Sequence, residues 1–241
     1  MFKLNNIYER SIIVTGTKRC PHIIHQIVPD INNVPAGLYH TIKHNIKLNP
    51  EFEYRIYDNN SILEILKNEF DETTLNAYNS TDNYKIKSDF IKLAFIYRYG
   101  GIFLDVKNIC LIKLIDLVRF NNVFYIHNTQ NQSVDLSLLA SHPNNPGITN
   151  AFNQAAIRLI QKYYGDDPDD ITGGKVLCDQ LFYLGYLVHF SLLSIGEDNI
   201  VTWKKNNNKV LKIYNSFNKD NLKFNLSPDP TIEWKENILY N

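Results

Sequence analysis

Apolar residues along this chain recur with two periods, one close to two residues and one close to 3.6, and the two alternate. His22 to Val28 reads as a first strand, and Leu38 to Leu48 as a helix ending near Asn49-Pro50. Glu53 to Tyr57 alternates as a second strand. An Asp/Asn/Ser start then opens an amphipathic helix over Asn60 to Phe70. Asp71 to Asn83 is polar and forms either a short helix or a loop. Val123 to His127 and Val134 to Ser141 read as further strands, the latter alternating through Leu136, Leu138 and Ala140. Ile148 to Tyr164 is a helix, and Gly173 starts another. The longest apolar stretch, Leu181 to Leu193, is broken by Gly185 and His189 and reads as a buried helix. Asn199 to Trp203 and Val210 to Tyr214 are late strands around the polar loop K-K-N-N-N-K. Strands alternating with helices predict an α/β protein: a Rossmann-like, mostly parallel sheet flanked by helices on both faces. Neither an internal repeat nor a linker argues for a second domain, so residues 1–241 are expected to form one.

The most informative stretch is K-S-D-F-I-K-L-A-F-I-Y-R-Y-G-G-I-F-L-D-V-K, from Lys87 to Lys107. Ile86, Phe90, Ala94 and Tyr97 recur at helical spacing, and Ile91, Leu93 and Phe95 widen the apolar face. Gly100 and Gly101 follow, where a helix end needs a residue tolerant of positive φ. Ile102, Phe103 and Leu104 form a short apolar run suited to a strand covered on both faces. Asp105 stands where that strand emerges. Open α/β sheets bind ligands at the carboxyl ends of their strands. A carboxylate there either grips a sugar hydroxyl or a metal ion, or caps the next turn.

This stretch resembles the signature of glycosyltransferases with a DxD sugar-nucleotide motif, the family of yeast-type initiating mannosyltransferases and bacterial capsule-polysaccharide transferases. The large clostridial glucosylating toxins are more distant relatives. The family pattern is roughly R-S-D-x-x-R-x-x-x-L-x-x-x-G-G-I-Y-x-D-x-D. It is met here by Lys87, Ser88, Asp89, Lys92, Tyr99, Gly100, Gly101, Ile102, Phe103 and Asp105. Pro21 to Ile27 resembles the family's opening strand, Asn49 to Asp58 its next one, and Thr172-Gly173-Gly174 a later T-G-P turn. The segments keep the family's order across most of Pro21 to Leu177.

The resemblance implies a GT-A-type fold and transfer of a hexosyl unit from a nucleotide-diphosphate sugar to a glycan or protein hydroxyl, with retention at the anomeric carbon. A UDP-sugar is expected ahead of a GDP-sugar. In this picture Asp89 hydrogen-bonds the nucleoside and Lys92 faces base or phosphate. Asp105 holds ribose or metal, Gly101 and Asp135 border the donor, and Asp105 and Lys107 form the catalytic pair. A degenerate, non-catalytic binder and a slow sugar-nucleotide hydrolase are the competing readings.

Three departures fall at working positions. Lys107 replaces the second acid of the DxD, Val28 replaces a tryptophan that stacks on the base, and Lys92 replaces an arginine. Lysine keeps the charge but lacks the planar fork that binds phosphate bidentately. Mn2+ or Mg2+ is the ordinary metal of such a site, and Lys107 stands against it. Asp105 with Lys107 sums to zero charge, as two carboxylates with one divalent ion do. On a regular strand residues two apart share a face, so Lys107 would stand in for the cation beside Asp105. An ammonium carries half the charge and bridges phosphates less well. The family's tail often supplies a further metal ligand. Here Asp229 lies five residues before Trp234. If residues 215–241 fold over the donor site, Asp229 joins Asp105 at a metal; otherwise it marks a surface turn.

Charge and cysteine content narrow the remaining classes. Lys+Arg and Asp+Glu are 25 each, so no basic field is available for nucleic acid or anionic membranes. The three cysteines, Cys20, Cys110 and Cys178, fit no zinc or CxxC spacing and read as free thiols of a reducing compartment. The first residues lack the apolar core of a signal peptide and no run reaches membrane-span length, so a cytoplasmic protein is expected. His22 and His25 fall on opposite faces of their strand, and His40 and His44 share a helix face without a third ligand. The run Asp166 to Asp170 (D-D-P-D-D) is an exposed loop before the T-G-G turn or a contact for the acceptor.

Overall fold

The computed structural model describes residues 19–119, 123–128, 133–184, 193–195, 200–203 and 208–213. Strands and helices alternate through its first half: β1 (Ile23–Ile27), α1 (Ala36–Leu48), β2 (Glu53–Tyr57), α2 (Asn59–Glu69), α3 (Glu72–Asn79), α4 (Tyr84–Tyr99) and β3 (Gly101–Leu104). Then come β4 (Asn108–Cys110), the short α5 (Ile115–Val118), β5 (Phe124–Asn128), β6 (Ser133–Ser141), α6 (Pro146–Ile160) and α7 (Gly174–Tyr183). Three short strands follow: β7 (Leu193–Ile195), β8 (Ile200–Trp203) and β9 (Asn208–Ile213). Asp and Asn side chains start most of the helices. Asp58 caps α2 in a reciprocal box with Ser61, Asp71 caps α3, Asn83 caps α4, and Asn145 caps α6 ahead of Pro146.

The nine strands form one sheet in the order β2-β1-β3-β6-β5-β7-β8-β9-β4. β1 pairs in parallel with β2 and β3, and β5 with β7. The pairings give β1, β2, β3, β5, β7 and β9 one direction, and β4, β6 and β8 the other. The expected alternation along β6 is broken, because Tyr125 pairs with Leu139 while Ile126 pairs with Asp135. The extra residues bulge, which puts Leu136 and Leu139 in the core under the helices and Leu138 and Ala140 in the core on the other face.

Helices α2, α4, α6 and α7 cover one face through a cluster that includes Tyr57, Leu66, Phe90, Phe95, Phe103, Phe152 and Leu177. On the other face Ile24, Ile102, Leu104 and Leu138 share a cluster with Cys110, Leu117, Val201 and Leu211. Strands from both ends of the sheet thus meet in one core, so the sheet curls over that face. A third cluster joins Val28, Ile31 and Val34 to Leu38 and Ile42 of α1, and to Val106. The all-buried β3 matches the two-sided burial read from its apolar run, and β1 is buried throughout as well.

Two elements differ from the sequence reading. The run Leu181 to Leu193 is not one helix: α7 ends at Tyr183, and Leu193 opens a strand. Residues 208 and 209 of the polar loop belong to β9, since their side chains are exposed and strand pairing does not need apolar ones. β4 was not legible at all. Its outer edge is closed by a side chain: Asn45 of α1 donates to Asn108 O at 2.8 Å and accepts from Cys110 N at 2.9 Å. One amide thereby satisfies two strand groups that would otherwise be an open edge.

Candidate donor site

The two ends of β3 are built differently, and the difference follows from α4. This helix runs antiparallel to β3 and returns through Gly100 and Gly101, so its first turn lies at the strand's carboxyl end. At the amino end Gly100 has φ 64° and Gly101 φ 91°. A Cβ on Gly101 would sit 2.6 Å from Ile23 O, so β1 and β3 can pair only with glycine there. The buried His25 locks this corner: Nε2 lies 2.8 Å from Gly100 O and Nδ1 2.9 Å from Tyr57 Oη. Burial, followed by the nearby Arg55 charge, pushes the His25 pKa down to about 3. Gly101 therefore packs the sheet at the end opposite Asp105, rather than bordering a ligand beside it.

At the carboxyl end β3 stops at Leu104, and Asp105 to Asn108 is a turn closed by Asn108 N donating to Asp105 O at 2.9 Å. Asp105 N donates to Ser137 O at 2.8 Å, and Asp105 Oδ1 accepts Lys107 N at 3.0 Å. The turn removes the strand parity expected to align the Asp105 and Lys107 side chains. Val106 instead inserts into the α1 cluster, leaving half-buried Asp105 and exposed Lys107 on the outer side. Lys107 makes no ion pair among the described residues. Beneath the turn, Gln26 donates to Leu104 O and Asn108 to Ser137 O. Gln26 Oε1, Asn108 Oδ1 and Ser137 Oγ are buried without a partner among the described residues.

The first turns of α4 bring a second set of charges. Asp89 is 5% exposed, with Lys92 Nζ 2.8 Å from Oδ1 and Lys85 Nζ 3.1 Å from Oδ2. Burial alone would raise this carboxyl, but Lys85 and Lys92 outweigh it and hold its pKa below the usual range. Burial likewise opposes the charge on Lys92, yet Asp89 and then Asp105 hold its pKa above the ordinary lysine value. Lys92 Nζ also lies 5.5 Å from the Phe103 ring centroid. Asp89 and Lys92 were expected to face the donor. The structure pairs them with each other. Tyr84, 39% exposed at the start of α4, lies within electrostatic reach of Asp105 and Asp89.

The T-G-G turn closes the same side. Lys85 reaches Asp169 at 2.9 Å, and Thr172 Oγ1 donates to Ile86 O at 3.1 Å. A Cβ on Gly174 would overlap Val134 O, so α7 starts directly against β6 beside Asp135. The Asp166 to Asp170 run is folded on itself: Asp167 caps a short 3-10 turn and pairs with Lys175. Half-buried Asp135 accepts Ser137 N at 2.8 Å. Asp105, Lys107, Asp135 and, through Lys85, the T-G-G turn thus gather at one edge. Val28 is fully buried among Ile31, Val34, Leu38 and Ile42, so that position offers nothing to a base. Asp229 lies outside the described residues.

The metal that the DxD pattern implies does not fit these residues. The second acid is Lys107, one Asp105 oxygen already accepts a backbone N–H, and Lys92 lies within electrostatic reach. No three His, Cys, Asp or Glu side chains gather for a metal among the described residues. His44 lies 2.9 Å from Cys110 O, which serves β4 rather than a cation. A cavity of about 870 Å3, lined by Arg19, His22, Glu51, Lys113, Asp116 and Arg119 among others, opens at the opposite edge, beside the amino end of β1.

The architecture is a mixed α/β sheet with an acid, Asp105, at the carboxyl end of a central strand and the Asp89–Lys92 pair close by. Over residues 35–130 the chain matches the family described as "Glycosyltransferase sugar-binding region containing DXD motif". It is 29% identical over 164 residues to a protein of Acanthamoeba polyphaga mimivirus named as an uncharacterized glycosyltransferase, L373, covering 67% of this chain and 64% of that one. It is 27% identical over 120 residues to inositol phosphoceramide mannosyltransferase 3 of Schizosaccharomyces pombe, covering 50% of this chain and 33% of that one. The chain therefore spans less than two thirds of either relative. Its fold is similar to that of the PaToxG glycosyltransferase, with a TM-score of 0.55 at 16% identity over 69% of this chain and 70% of that one. No helix among the described residues is long and apolar enough to cross a membrane.

Proposed function

We propose that this chain is a glycosyltransferase that moves a hexosyl unit from a nucleotide-diphosphate sugar, a UDP-sugar ahead of a GDP-sugar, to a hydroxyl acceptor with retention. One observation carries the reading: inside the matched sugar-binding region, Asp105 is held half-buried in a turn at the carboxyl end of a central strand. In the transfer, the bond from the anomeric carbon to the diphosphate oxygen breaks and its electron pair leaves with the diphosphate. The acceptor oxygen bonds to that carbon, and its proton is released to solvent. Asp105 accepts ribose hydroxyls, Asp135 borders the sugar, and the Asp89–Lys92 pair sets the charge beneath. Catalysis then rests on positioning and on stabilising the leaving group. The acceptor is a glycan or protein hydroxyl. The free thiols Cys20, Cys110 and Cys178 suit a cytoplasmic setting.

The test is thermal-shift titration with a panel of UDP- and GDP-sugars, followed by assay of transfer to acceptors. Asp105→Ala is expected to abolish stabilisation by the donor; unchanged affinity would place the pocket elsewhere. A second reading, a degenerate binder or a slow donor hydrolase, is favoured by Lys107, by the buried Val28 and by the full engagement of Asp89. Donor binding without turnover would select the binder. Free sugar released without an acceptor product would select the hydrolase.

A further inference from the structure

We infer that the donor diphosphate is received without a divalent cation, its charge being met by the exposed ammonium of Lys107 beside Asp105. The inference rests on the glycosyltransferase reading and concerns how that site is run. Its first support is local geometry. Val106 is buried in the α1 cluster, so the turn is anchored through its middle residue, and Asp105 Oδ1 lies 3.0 Å from the backbone N of the exposed Lys107. Lys107 has no ion pair among the described residues, whereas Lys85 and Lys92 are both committed to Asp89. An unpaired ammonium in a turn otherwise fixed by hydrogen bonds is available to a ligand anion.

Electrostatics is the second support. Asp89 is paired with Lys85 and Lys92, Lys92 also lies within electrostatic reach of Asp105, and Asp169 approaches through Lys85. A divalent cation at a nucleotide site is held by one or two carboxylates together with the phosphates, so its protein ligands carry an excess of negative charge. Here the acids are closely matched by ammonium groups. Both Asp89 oxygens are engaged, and one oxygen of each of Asp105 and Asp135 accepts a backbone N–H. A divalent ion would approach Lys107 and the buried Lys92 as a like charge. A diphosphate meets the same two groups as an opposite charge. The buried amide oxygens Gln26 Oε1 and Asn108 Oδ1 do not alter this balance, because they are neutral and lie beneath the turn.

The experiment is isothermal titration of the full chain with UDP, GDP, ADP and CDP, in EDTA and again in excess MnCl2. At least one nucleotide is expected to bind equally well in both. Binding only in MnCl2 would overturn the inference and leave the glycosyltransferase reading standing. No binding of any nucleotide in either buffer would overturn that reading, and the inference with it. Lys107→Asp, which restores the acid spacing, is expected to bind about tenfold more weakly in EDTA and to recover in MnCl2. Lys107→Met removes the charge without adding an acid, and is expected to show the same loss with no recovery. Wild-type affinity of Lys107→Met in EDTA would show that Lys107 does not receive the diphosphate.

Discussion

The two ends of β3 lie a few residues apart and follow opposite rules. At the amino end the glycine corner itself is hydrogen-bonded, and Ser141 Oγ, opposite Gly101, is the buried group there without a partner among the described residues. His25 bridges Gly100 O and Tyr57 Oη, and the Cys20 thiol lies 3.4 Å from Gly101 O. At the carboxyl end three buried polar atoms lack partners, one acid is half-exposed, and one ammonium is unpaired. Buried polar groups without partners are unfavourable, and they persist where a ligand or water completes them. The glycine corner is therefore expected to carry stability, and the acid turn the proposed chemistry. Substitutions at the two ends should separate into those that unfold the protein and those that only silence it.

The largest effect is expected at Gly101. Gly101→Val places a β-branched side chain at φ 91° and against Ile23 O. It should lower stability by more than about 4 kcal/mol and leave little folded protein on gel filtration. His25→Ala is next, because it removes the imidazole that bridges Tyr57 Oη and Gly100 O in the core. A loss of about 3 kcal/mol in urea unfolding is expected. If His25→Ala were as stable as wild type, the amino-end lock would be an ornament of the packing.

Acid should reveal the same lock without mutation. The folded His25 has its pKa depressed to about 3, while the unfolded side chain titrates near its ordinary value of about 6.5. Between these values the unfolded chain binds a proton that the folded chain refuses, so stability is complete above about pH 6.5 and falls as the pH drops toward about 3. Going from pH 7 to pH 5 should remove about 2 kcal/mol, and His25→Ala should flatten that slope. The Asp89–Lys92 pair behaves differently. The depressed Asp89 contributes above its unfolded pKa of about 4, and the raised Lys92 contributes below about 10.4. Between those limits the pair adds no pH dependence, so it does not contribute to a slope from pH 7 to pH 5.

How much of this was readable beforehand differs between the same two regions. The glycine corner was legible, because φ tolerance and two-sided burial leave local marks: Gly100-Gly101 followed by I-F-L. The position of Asp105 at a strand's end was legible for the same reason. The geometry of the next two residues was not. Strand parity treats Lys107 as a neighbour on the same face, whereas the chain turns at Leu104 because Val106 finds apolar partners on α1, far away in sequence. Asp89 shows the same limit. Its place in the pattern was plain, but its engagement by Lys85 and Lys92 depends on i+4 and i+3 contacts in a buried helix face. β4 and its Asn45 clasp left no periodic trace, since a three-residue strand is too short to show one.

The smallest stability effect, and the sharpest test of the comparison, is Asp105→Asn. The amide keeps an oxygen to accept Lys107 N, so the turn survives, and thermal unfolding should change by less than about 0.5 kcal/mol. The charge is lost, and with it the strong acceptor proposed for the ribose hydroxyls, so nucleotide affinity should fall at least about tenfold. At the amino end the ordering reverses: a substitution mild enough to leave the protein folded should leave nucleotide affinity untouched, because no atom of that corner faces the turn. If Asp105→Asn instead destabilised the chain as strongly as His25→Ala while nucleotide binding persisted, the carboxyl end would be structural too. The division between the ends of β3 would then have no functional content.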